Sequence, residues 1–399
     1  MLPEHCQKND TVPPRSTIDS LLARLRGLRP ARPFRLMEVC GGQTHSILRH
    51  GLDLLLEEHA NIQLLHGPGC PVCVTPAAYL DRAIAIARLP GTLLCTFGDL
   101  LRVPSGASGD LFAARAAGAR VQTCLSPLDA LDLAGRNPSL RVVWLAIGFE
   151  TTAPAHALAL RLARERRLAN FCVLPSLFLL PPVLCAICAD PDTAPDAFLA
   201  AGHVCTVTGP APYEALAAEL RRPIAITGFT PEEILLGACH ALRLHAAGTP
   251  ACFNAYPSAV HPGGNPAARA LMRETFVPCD QVWRGLGPLP RSGLALSPDY
   301  ASFDANALLP PGTLPAPAAA GGAGADDAPA CPASKILRGL LAPPDCPHFG
   351  GACTPDTPLG APMVSPEGPC SAFYLHRPRV TSSARPPAPP RISRRPPAS

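Results

Sequence analysis

The sequence predicts an α/β protein: two domains, each with a parallel sheet, followed by a loop-rich C-terminal region. Short apolar runs rich in β-branched residues, such as Arg141–Ile147, are typical of strands buried on both faces. Segments with helix-start signals separate these runs, and this alternation favours βαβ units. Proline, glycine and cysteine are frequent in residues 331–375, a stretch too short to build a large core of its own.

The strands and helices fall into two series along the chain. The first series of expected strands is Arg35–Val39, Ile62–Leu65, Thr92–Phe97 and Arg120–Thr123, and the second is Arg141–Ile147, Phe171–Leu174, His203–Val207 and Ile224–Thr227. Capping signals and prolines at first helical positions predict helices that begin at Ser16, Thr75-Pro76 and Thr230-Pro231 and at about Asn265.

These patterns divide the 399-residue chain into segments. We expect an N-terminal helix (1–30), a first α/β domain (31–135), a second α/β domain (136–250), a loop-rich connection (251–308), a low-complexity linker (309–330), a cysteine module (331–375) and a disordered tail rich in arginine and proline (376–399).

The charge of the chain argues against a nucleic-acid partner. The formal net charge is +4, but residues 376–399 hold six arginines and no acid, so the rest of the chain is slightly acidic. No signal peptide is visible at the start. The one apolar run of nearly membrane-spanning length, 171–189, contains the pair Pro181-Pro182, which favours a buried strand and helix. We therefore expect a cytoplasmic protein with no membrane partner.

The 17 cysteines indicate metal or redox chemistry. A secreted disulfide-rich protein is usually short and carries an export signal, and this chain has neither feature. Isolated cysteines in apolar surroundings are interpreted as small core residues; they are Cys95, Cys124, Cys172 and Cys239.

The first motif is Cys40-Gly41-Gly42-Gln43-Thr44-His45, directly after an expected strand. Loops at the carboxyl ends of parallel strands hold ligands, and backbone N–H groups after the glycines would favour a thiolate or a bound anion. We interpret Cys40 as a metal-binding or nucleophilic thiolate with His45 as a nearby acid–base group. A buried core cysteine before a turn is the alternative.

The second motif is Cys70-Pro71-Val72-Cys73 at a strand-to-helix junction. A helix N-terminus lowers the pKa of a thiol, and a proline inside such a pair is common in redox dithiols. Half of a zinc site and inert packing are the alternatives. Cys185 and Cys188 have the same spacing in an apolar run and are interpreted as core residues.

Three further residues stand out near expected strands. Glu150 follows the strand Arg141–Ile147 and is either a general base, a group that binds a partner, or a solvated acid at a helix start. His203 and Arg284, the latter within Trp283-Arg284-Gly285, are each interpreted as structural, the arginine stacked on or near an aromatic ring.

Four cysteines in the cysteine module suit a metal cage, because a short loop-rich segment needs additional stabilisation. They are Cys331, Cys346, Cys353 and Cys370. Zinc and a 4Fe-4S cluster both accept four thiolates, and the spacing does not choose between them. Disulfides in a reducing compartment are the less favoured alternative.

Together and in this order, the motifs resemble the HypD family of hydrogenase maturation factors. The matching text includes MEVCGGQTHSI, GPGCPVCVTP, GFETTAP, GHVCTV and ITGFTPEEIL, and it extends to WRGLGPLPRSGL and DCPHFGGACTPDTPLGAPMVSPEGPCSAFY. The resemblance covers roughly residues 21–374. Where the family has further cysteines, this chain has Ala333 and Pro362, which leaves the four that one cubane cluster needs.

The resemblance implies a maturation scaffold, a monomer within a complex, which works with a HypC-type chaperone and a HypE-type cyanide donor. It implies a transient iron that acquires two cyanides and one carbon monoxide. By position, Cys40 would be the iron thiolate with His45 beside it, and Cys70 and Cys73 would be a redox-active dithiol. The C-terminal cysteines would bind a 4Fe-4S cluster. A stand-alone thiol–disulfide oxidoreductase and a zinc-stabilised binding module are the alternatives.

Overall fold

The computed structural model describes residues 18–106, 108–190, 193–309 and 331–377. The expected helix cap at Ser16, nearly all of the linker 309–330 and the tail from residue 378 onwards lie outside these residues. Within them the α/β prediction is confirmed, because two sheets are flanked by helices. No helix in this described part combines the length and the hydrophobicity that a membrane span requires.

Most strands are short, as is typical of parallel sheets buried by helices. They are β1 (Phe34–Glu38), β2 (Ile62–His66), β3 (Thr92–Thr96), β4 (Val121–Thr123), β5 (Arg141–Gly148), β6 (Phe171–Phe178), β7 (Ala197–Ala201), β8 (Ile224–Thr227), β9 (Cys252–Asn254), β10 (Phe276–Trp283) and β11 (Gly287–Leu296).

The helices range from single turns to the long α12. They are α1 (Ile18–Gly27), α2 (Gly41–Arg49), α3 (Leu52–Ala60), α4 (Pro71–Val74), α5 (Ala77–Ala87), α6 (Leu111–Ala116), α7 (Pro127–Arg136), α8 (Ala153–Glu165), α9 (Leu180–Cys188), α10 (Gly202–Thr208), α11 (Ala211–Leu220), α12 (Pro231–Ala246), α13 (Pro266–Thr275), α14 (Ala333–Leu337), α15 (Ala361–Val364) and α16 (Pro369–His376). Short 3-10 helices lie at Gly98–Leu100, Pro298–Phe303, Ala305–Leu308 and Pro343–Asp345.

The first sheet has the strand order β2-β1-β7-β8-β9, and all of its pairs are parallel. The second has the order β10-β11-β6-β5-β3-β4, in which the strands from β6 to β4 are parallel and the hairpin β10–β11 is antiparallel. The chain therefore builds part of the first sheet, crosses to the second, returns and crosses again.

This interleaving corrects the expected boundary between domains 31–135 and 136–250. The first sheet takes β1 and β2 from the earlier segment and β7 and β8 from the later one, whereas the second sheet takes β3 and β4 from the earlier segment. Local sequence patterns identify strands but carry no information about which distant strand each one pairs with.

The expected strand His203–Val207 is wrong, since these residues belong to α10. The strand is β7, six residues earlier, with the sequence AFLAA and no exposed residue. Alanine has a low strand propensity, but it fits a central strand that is packed closely on both faces. The β-branched residues that suggested a strand lie in a seven-residue helix instead.

The region 251–308 was expected to be rich in loops, and its helix Asn265–Thr275 is confirmed as α13 with Asn265 as its N-cap. The hairpin β10–β11 was not predicted. Its strands contain three prolines: Pro278 lies on the edge strand β10, and Pro288 and Pro290 of β11 lie outside the two residues, Gly293 and Leu294, that pair with β6.

Core positions agree with the sequence pattern for most isolated cysteines. Cys95, Cys124, Cys172 and Cys239 are all buried, as expected. Cys185 and Cys188 are only half-buried on α9, which corrects their interpretation as core residues. Residues of α12 pack on the first sheet, and α12 begins with a reciprocal capping box between Thr230 and Glu233.

The cap of α12 yields a stability prediction. Thr230→Ala leaves the backbone N–H of Glu233 without its side-chain acceptor, so the free energy of unfolding should fall by about 1 kcal/mol. Urea denaturation measures this loss. Thr249→Ala, at an exposed threonine just beyond the same helix, is the matched control and should change stability by less than about 0.5 kcal/mol. Equal losses in both variants would contradict the capping role.

Candidate metal and redox site

The strand order of the first sheet creates a crevice at one edge. β1 lies between β2 and β7, so the chain leaves β1 on one side and returns on the other, and the carboxyl ends of β1 and β7 separate there. Ligands of open α/β sheets bind at such a point. Cys40 follows β1 and His203 follows β7, so both side chains stand at this crevice.

Cys40 and His203 are in direct contact. The Cys40 Sγ lies 3.5 Å from the His203 Nδ1. The ring of Phe229, which follows β8, lies beside the imidazole with 5.6 Å between ring centroids, and 36% of Phe229 is exposed at the rim. Burial lowers the pKa of His203 to about 4, so its imidazole is neutral near pH 7 and one ring nitrogen carries a free lone pair.

The environment of Cys40 favours the protonated thiol in the absence of a cation. Burial raises the pKa of Cys40 to about 12, and the negative charges of Glu38 and Glu367 act in the same direction. The backbone N–H groups of Gly42 and Gln43, at the start of α2, oppose this shift. A metal ion replaces such a proton, because a coordinating thiol is deprotonated outright. The site therefore suits a metal ligand better than a free nucleophile.

A buried carboxylate fixes the backbone at Cys40. Glu38 accepts hydrogen bonds from the Cys40 backbone N–H at 2.7 Å and from the Thr44 hydroxyl at 2.6 Å. The Nδ1 of His66, its cross-strand partner at the end of β2, lies 2.7 Å from Oε1 of the same carboxylate. The loop after β1 is consequently held by its own strand, by α2 and by β2.

His45 was expected beside Cys40, and its observed contacts are elsewhere. Its Nδ1 lies 2.9 Å from Nε2 of His376 on α16, and its Nε2 contacts the carbonyl of Pro366. His45 thus joins α2 to the cysteine module, whereas the imidazole in contact with Cys40 belongs to His203. The signal for His203 was present in the sequence, as a histidine after Gly202, but the misplaced strand put it at a strand start.

The Cys70–Cys73 pair lies next to Cys40. The two cysteines form a disulfide with 5.2 Å between Cα atoms, and the Cys70 sulfur accepts a hydrogen bond from the Cys73 backbone N–H. A methyl group on Gly69 would lie 2.3 Å from the Cys40 backbone nitrogen, so only glycine permits this approach. The two motifs are adjacent because they follow neighbouring parallel strands.

The cysteine module packs over both motifs. The Cys73 sulfur lies 3.9 Å from the carbonyl oxygen of Ala361 on α15. A methyl group on Gly41 would lie 2.7 Å from the Glu367 Cβ, so the start of α2 is in contact with the module too. The module therefore closes the edge of the first sheet at which Cys40 and the disulfide lie.

The four cysteines of the module lie in one small cluster. Burial raises the pKa of Cys370, and the charges of the three other cysteines raise it further, so all four are within electrostatic reach; the set is Cys331, Cys346, Cys353 and Cys370. Cys353 accepts an N–H···S hydrogen bond from Leu359 at 3.4 Å. Such bonds stabilise cluster thiolates.

The donor set of these four side chains fits a 4Fe-4S cluster, which takes one thiolate at each iron, and it also fits tetrahedral zinc. Within residues 18–106, 108–190, 193–309 and 331–377, no three His, Cys, Asp or Glu side chains are arranged to hold a single metal ion.

Comparison with known proteins now identifies the family. A protein-family model described as "HypD: Hydrogenase formation hypA family" matches residues 16–377. The chain belongs to the HypD family. The hydrogenase maturation factor HypD of Rhizobium leguminosarum bv. viciae is 43% identical over 354 residues, which cover 87% of this chain and 89% of that protein.

Two further HypD relatives agree. The hydrogenase maturation factor HypD of Escherichia coli (strain K12) is 43% identical over 347 residues, covering 87% of this chain and 90% of that protein. The factor of the same name from Azotobacter vinelandii is 42% identical over 373 residues, covering 90% and 94%. The matches span both sheets and the cysteine module, so the chain is a HypD-family hydrogenase maturation factor.

Glu150, the remaining candidate, is buried in this HypD-family fold rather than solvated. It follows β5, its Oε1 accepts the Leu180 N–H at 3.1 Å, and its Oε2 has no hydrogen-bond partner among the described residues. Burial raises its pKa to about 7. It faces Cys205 and Tyr213, whose pKa values are raised by burial and, in part, by its charge.

This shifted pKa predicts how stability depends on pH. The Glu150 carboxyl loses its proton near pH 4.5 in the unfolded chain but near pH 7 in the folded protein, so the wild type loses stability as the pH rises through that window. Glu150→Gln does not titrate. Relative to the wild type, its free energy of unfolding should rise by about 3 kcal/mol between pH 4.5 and pH 8, measured by urea denaturation.

Glu165→Gln, at an exposed acid on α8, is the control for this titration and should show no such pH-dependent gain. If the difference between Glu150→Gln and the wild type were the same at both pH values, the carboxyl would not be held protonated by burial.

Proposed function

We propose that this HypD-family protein assembles, with a HypC-type chaperone and a HypE-type cyanide donor, an iron that carries two cyanides and one carbon monoxide. One observation carries the proposal: a buried thiol–imidazole pair and a redox-capable cysteine pair lie side by side under a module with four clustered cysteines. The family resemblance supplies the identity of the cargo and of the partners, and the cytoplasm is its expected compartment.

Iron is the substrate of the crevice. Cys40 offers a soft sulfur ligand, and His203, neutral near pH 7, offers a nitrogen at 3.5 Å from that sulfur. When iron binds, the proton of Cys40 leaves, which removes the cost of ionising a buried thiol. The HypC-type partner would supply a second thiolate from the open side of the crevice, where Phe229 is partly exposed.

The Cys70–Cys73 pair supplies two electrons for cyanide release. A dithiol reacts with a thiocyanate on the donor so that the two cysteines form a disulfide, the sulfur–carbon bond breaks, and the products are a free thiol on the donor and hydrogen cyanide. Atoms and electrons balance, because the dithiol gives up two hydrogens. Cyanide released beside Cys40 binds iron as the anion and returns one proton. A disulfide between Cys70 and Cys73 would be the oxidised product of this step.

The four cysteines of the module would hold a 4Fe-4S cluster, which supplies single electrons when bound. The chain's own contribution is to bury Cys370, to donate the Leu359 N–H to Cys353, and to keep α15 in contact with the Cys73 sulfur. These contacts explain why the module is attached to the dithiol rather than to a remote face.

The disulfide also suits a second function, a thiol–disulfide oxidoreductase that acts alone. That function would need Cys70 and Cys73 but neither Cys40 nor the HypC-type partner. The contact between Cys40 and His203 favours the scaffold. Thiol–disulfide exchange needs only the Cys70–Cys73 pair, and it gives no role to Cys40, an additional thiol whose raised pKa keeps it protonated.

Infrared spectroscopy of the protein purified without oxygen, together with its co-expressed HypC-type partner, tests the scaffold function. Cyanide and carbonyl stretching bands should be present in the wild type and absent from Cys40→Ala. Cys239→Ala removes a buried thiol of α12, away from the crevice residues, and should retain the bands. Bands that survive in Cys40→Ala would exclude this cysteine as an iron ligand. A wild type that exchanges disulfides but never shows bands would favour the oxidoreductase.

The metal of the module is tested by visible absorption and metal analysis. The anaerobic wild type should be brown, with absorbance near roughly 400 nm, and should contain about four irons beyond the iron of the crevice. Cys370→Ala should lose at least about 80% of this absorbance because one iron would lack its thiolate. Cys172→Ala, at a buried cysteine of β6, is the control and should keep it. A colourless wild type with one zinc would instead establish the zinc-stabilised module.

A further inference from the structure

Arg284 is a buried arginine at the turn between β10 and β11, with only 3% of its surface exposed. A buried guanidinium is costly unless its N–H groups find acceptors. Its side chain donates hydrogen bonds to two backbone carbonyls, that of Thr75, two residues beyond Cys73, and that of Pro104.

These hydrogen bonds reach the end of α4, the single turn that carries Cys73. The Arg284 backbone N–H donates to the Val74 carbonyl at 2.7 Å, and its Nε donates to the Thr75 carbonyl at 2.7 Å. A third bond runs from Nη2 to the carbonyl of Pro104, in the loop that leads from β3 to α6. Carbonyls at a helix end lack partners within the helix, so Arg284 completes α4 where the chain itself does not.

The residues on either side of Arg284 fix its position. Trp283 is fully buried, and its indole N–H donates to the Ser292 hydroxyl at 2.9 Å. Gly285 has a φ of +78°, and a methyl group there would lie 2.7 Å from the Ser334 Cα at the start of the cysteine module. The same turn therefore contacts the cysteine pair through Arg284 and the module through Gly285.

We propose that Arg284 is a positioning residue for the Cys70–Cys73 pair: it holds the end of α4 so that the two sulfurs stay within bonding reach in the dithiol form. The inference rests on the proposed redox role of this pair and extends it to a residue about 200 positions away in the chain.

The physical basis is effective concentration. Disulfide formation from a dithiol is favoured when the chain between the thiols is already ordered, since less conformational freedom is lost on closing the ring. The single turn α4 is not stable by itself, because the free energy of forming one isolated helical turn is unfavourable. Removing the side-chain bonds of Arg284 should let the dithiol segment relax and shift the equilibrium towards the dithiol.

The test is the equilibrium of the Cys70–Cys73 pair with glutathione, in which the protein dithiol and oxidised glutathione exchange to the protein disulfide and two reduced glutathiones. The anaerobic full chain is equilibrated, quenched with acid, alkylated and digested, and the peptide with both cysteines is quantified by mass spectrometry. Arg284→Gln should lower the equilibrium constant for disulfide formation about tenfold, which corresponds to ~30 mV for a two-electron couple.

Two further variants separate positioning from general damage. Arg284→Lys keeps one donor that can reach a carbonyl and should lower the constant only about threefold. Arg273→Gln, at an exposed arginine of α13, should leave it unchanged. Circular dichroism verifies that each variant is folded, and if Arg284→Gln does not fold, the threefold effect of Arg284→Lys carries the test.

The outcomes distinguish this inference from the function on which it rests. Equal constants for the wild type, Arg284→Gln and Arg284→Lys would overturn the positioning role and leave the redox role of the pair intact. A wild-type pair that stays oxidised even after prolonged anaerobic incubation of the folded protein with the small, strong reductant dithiothreitol would remove the redox role itself.

Discussion

The contact between the backbones of Gly69 and Cys40 is the constraint on which the rest of the site depends. β1 and β2 are parallel neighbours, so their carboxyl ends reach the same edge of the sheet, and the loops that follow must share that space. Any side chain at position 69 would push the loops apart. With glycine there, the Cys40 thiol and the Cys70–Cys73 pair occupy adjacent positions, so in the proposed function cyanide would be released next to the iron that binds it.

The second sheet has a crevice of its own, and the cysteine module contacts this crevice as well as the edge of the first sheet. In the second sheet β3 lies between β4 and β5, so a similar crevice opens where Asp99 and Glu150 follow β3 and β5. Asp99 accepts a hydrogen bond from Ser365 of the cysteine module at 3.4 Å, and the module also contacts Gly41 of the first sheet. The module thus joins the two crevices, although its own hydrophobic cluster is small.

The sequence predicts the parts of this arrangement better than their pairing. Strands such as β5 and β8 are recognisable because β-branched residues stay apolar on both faces, and α12 because its cap and its proline mark one end. β7 was missed because alanine is selected there by close packing, a tertiary cause that no local window contains. Because β7 was misplaced, the position of His203 at the carboxyl end of this strand was not recognised. His45, the nearest histidine in the sequence motif, was therefore predicted to lie beside Cys40. Arg284 was singled out as structural, but its acceptors could not be predicted for a related reason: they lie about 200 residues away.

The candidate functional groups share one property: burial shifts the pKa of each towards its uncharged form. Burial favours the thiol form of Cys40, the neutral imidazole of His203 and a Glu150 carboxyl that is close to half-protonated near pH 7. A cation that enters such a site gains a thiolate only by expelling a proton, and each cyanide that binds as an anion leaves another proton to be removed. In the proposed function, an iron cation, its thiolate ligands and two cyanides would be taken up in turn, so the charges of the cation and of the anions would partly offset one another. The low dielectric of the crevice makes that balance a requirement, because an uncompensated charge there would cost several kcal/mol.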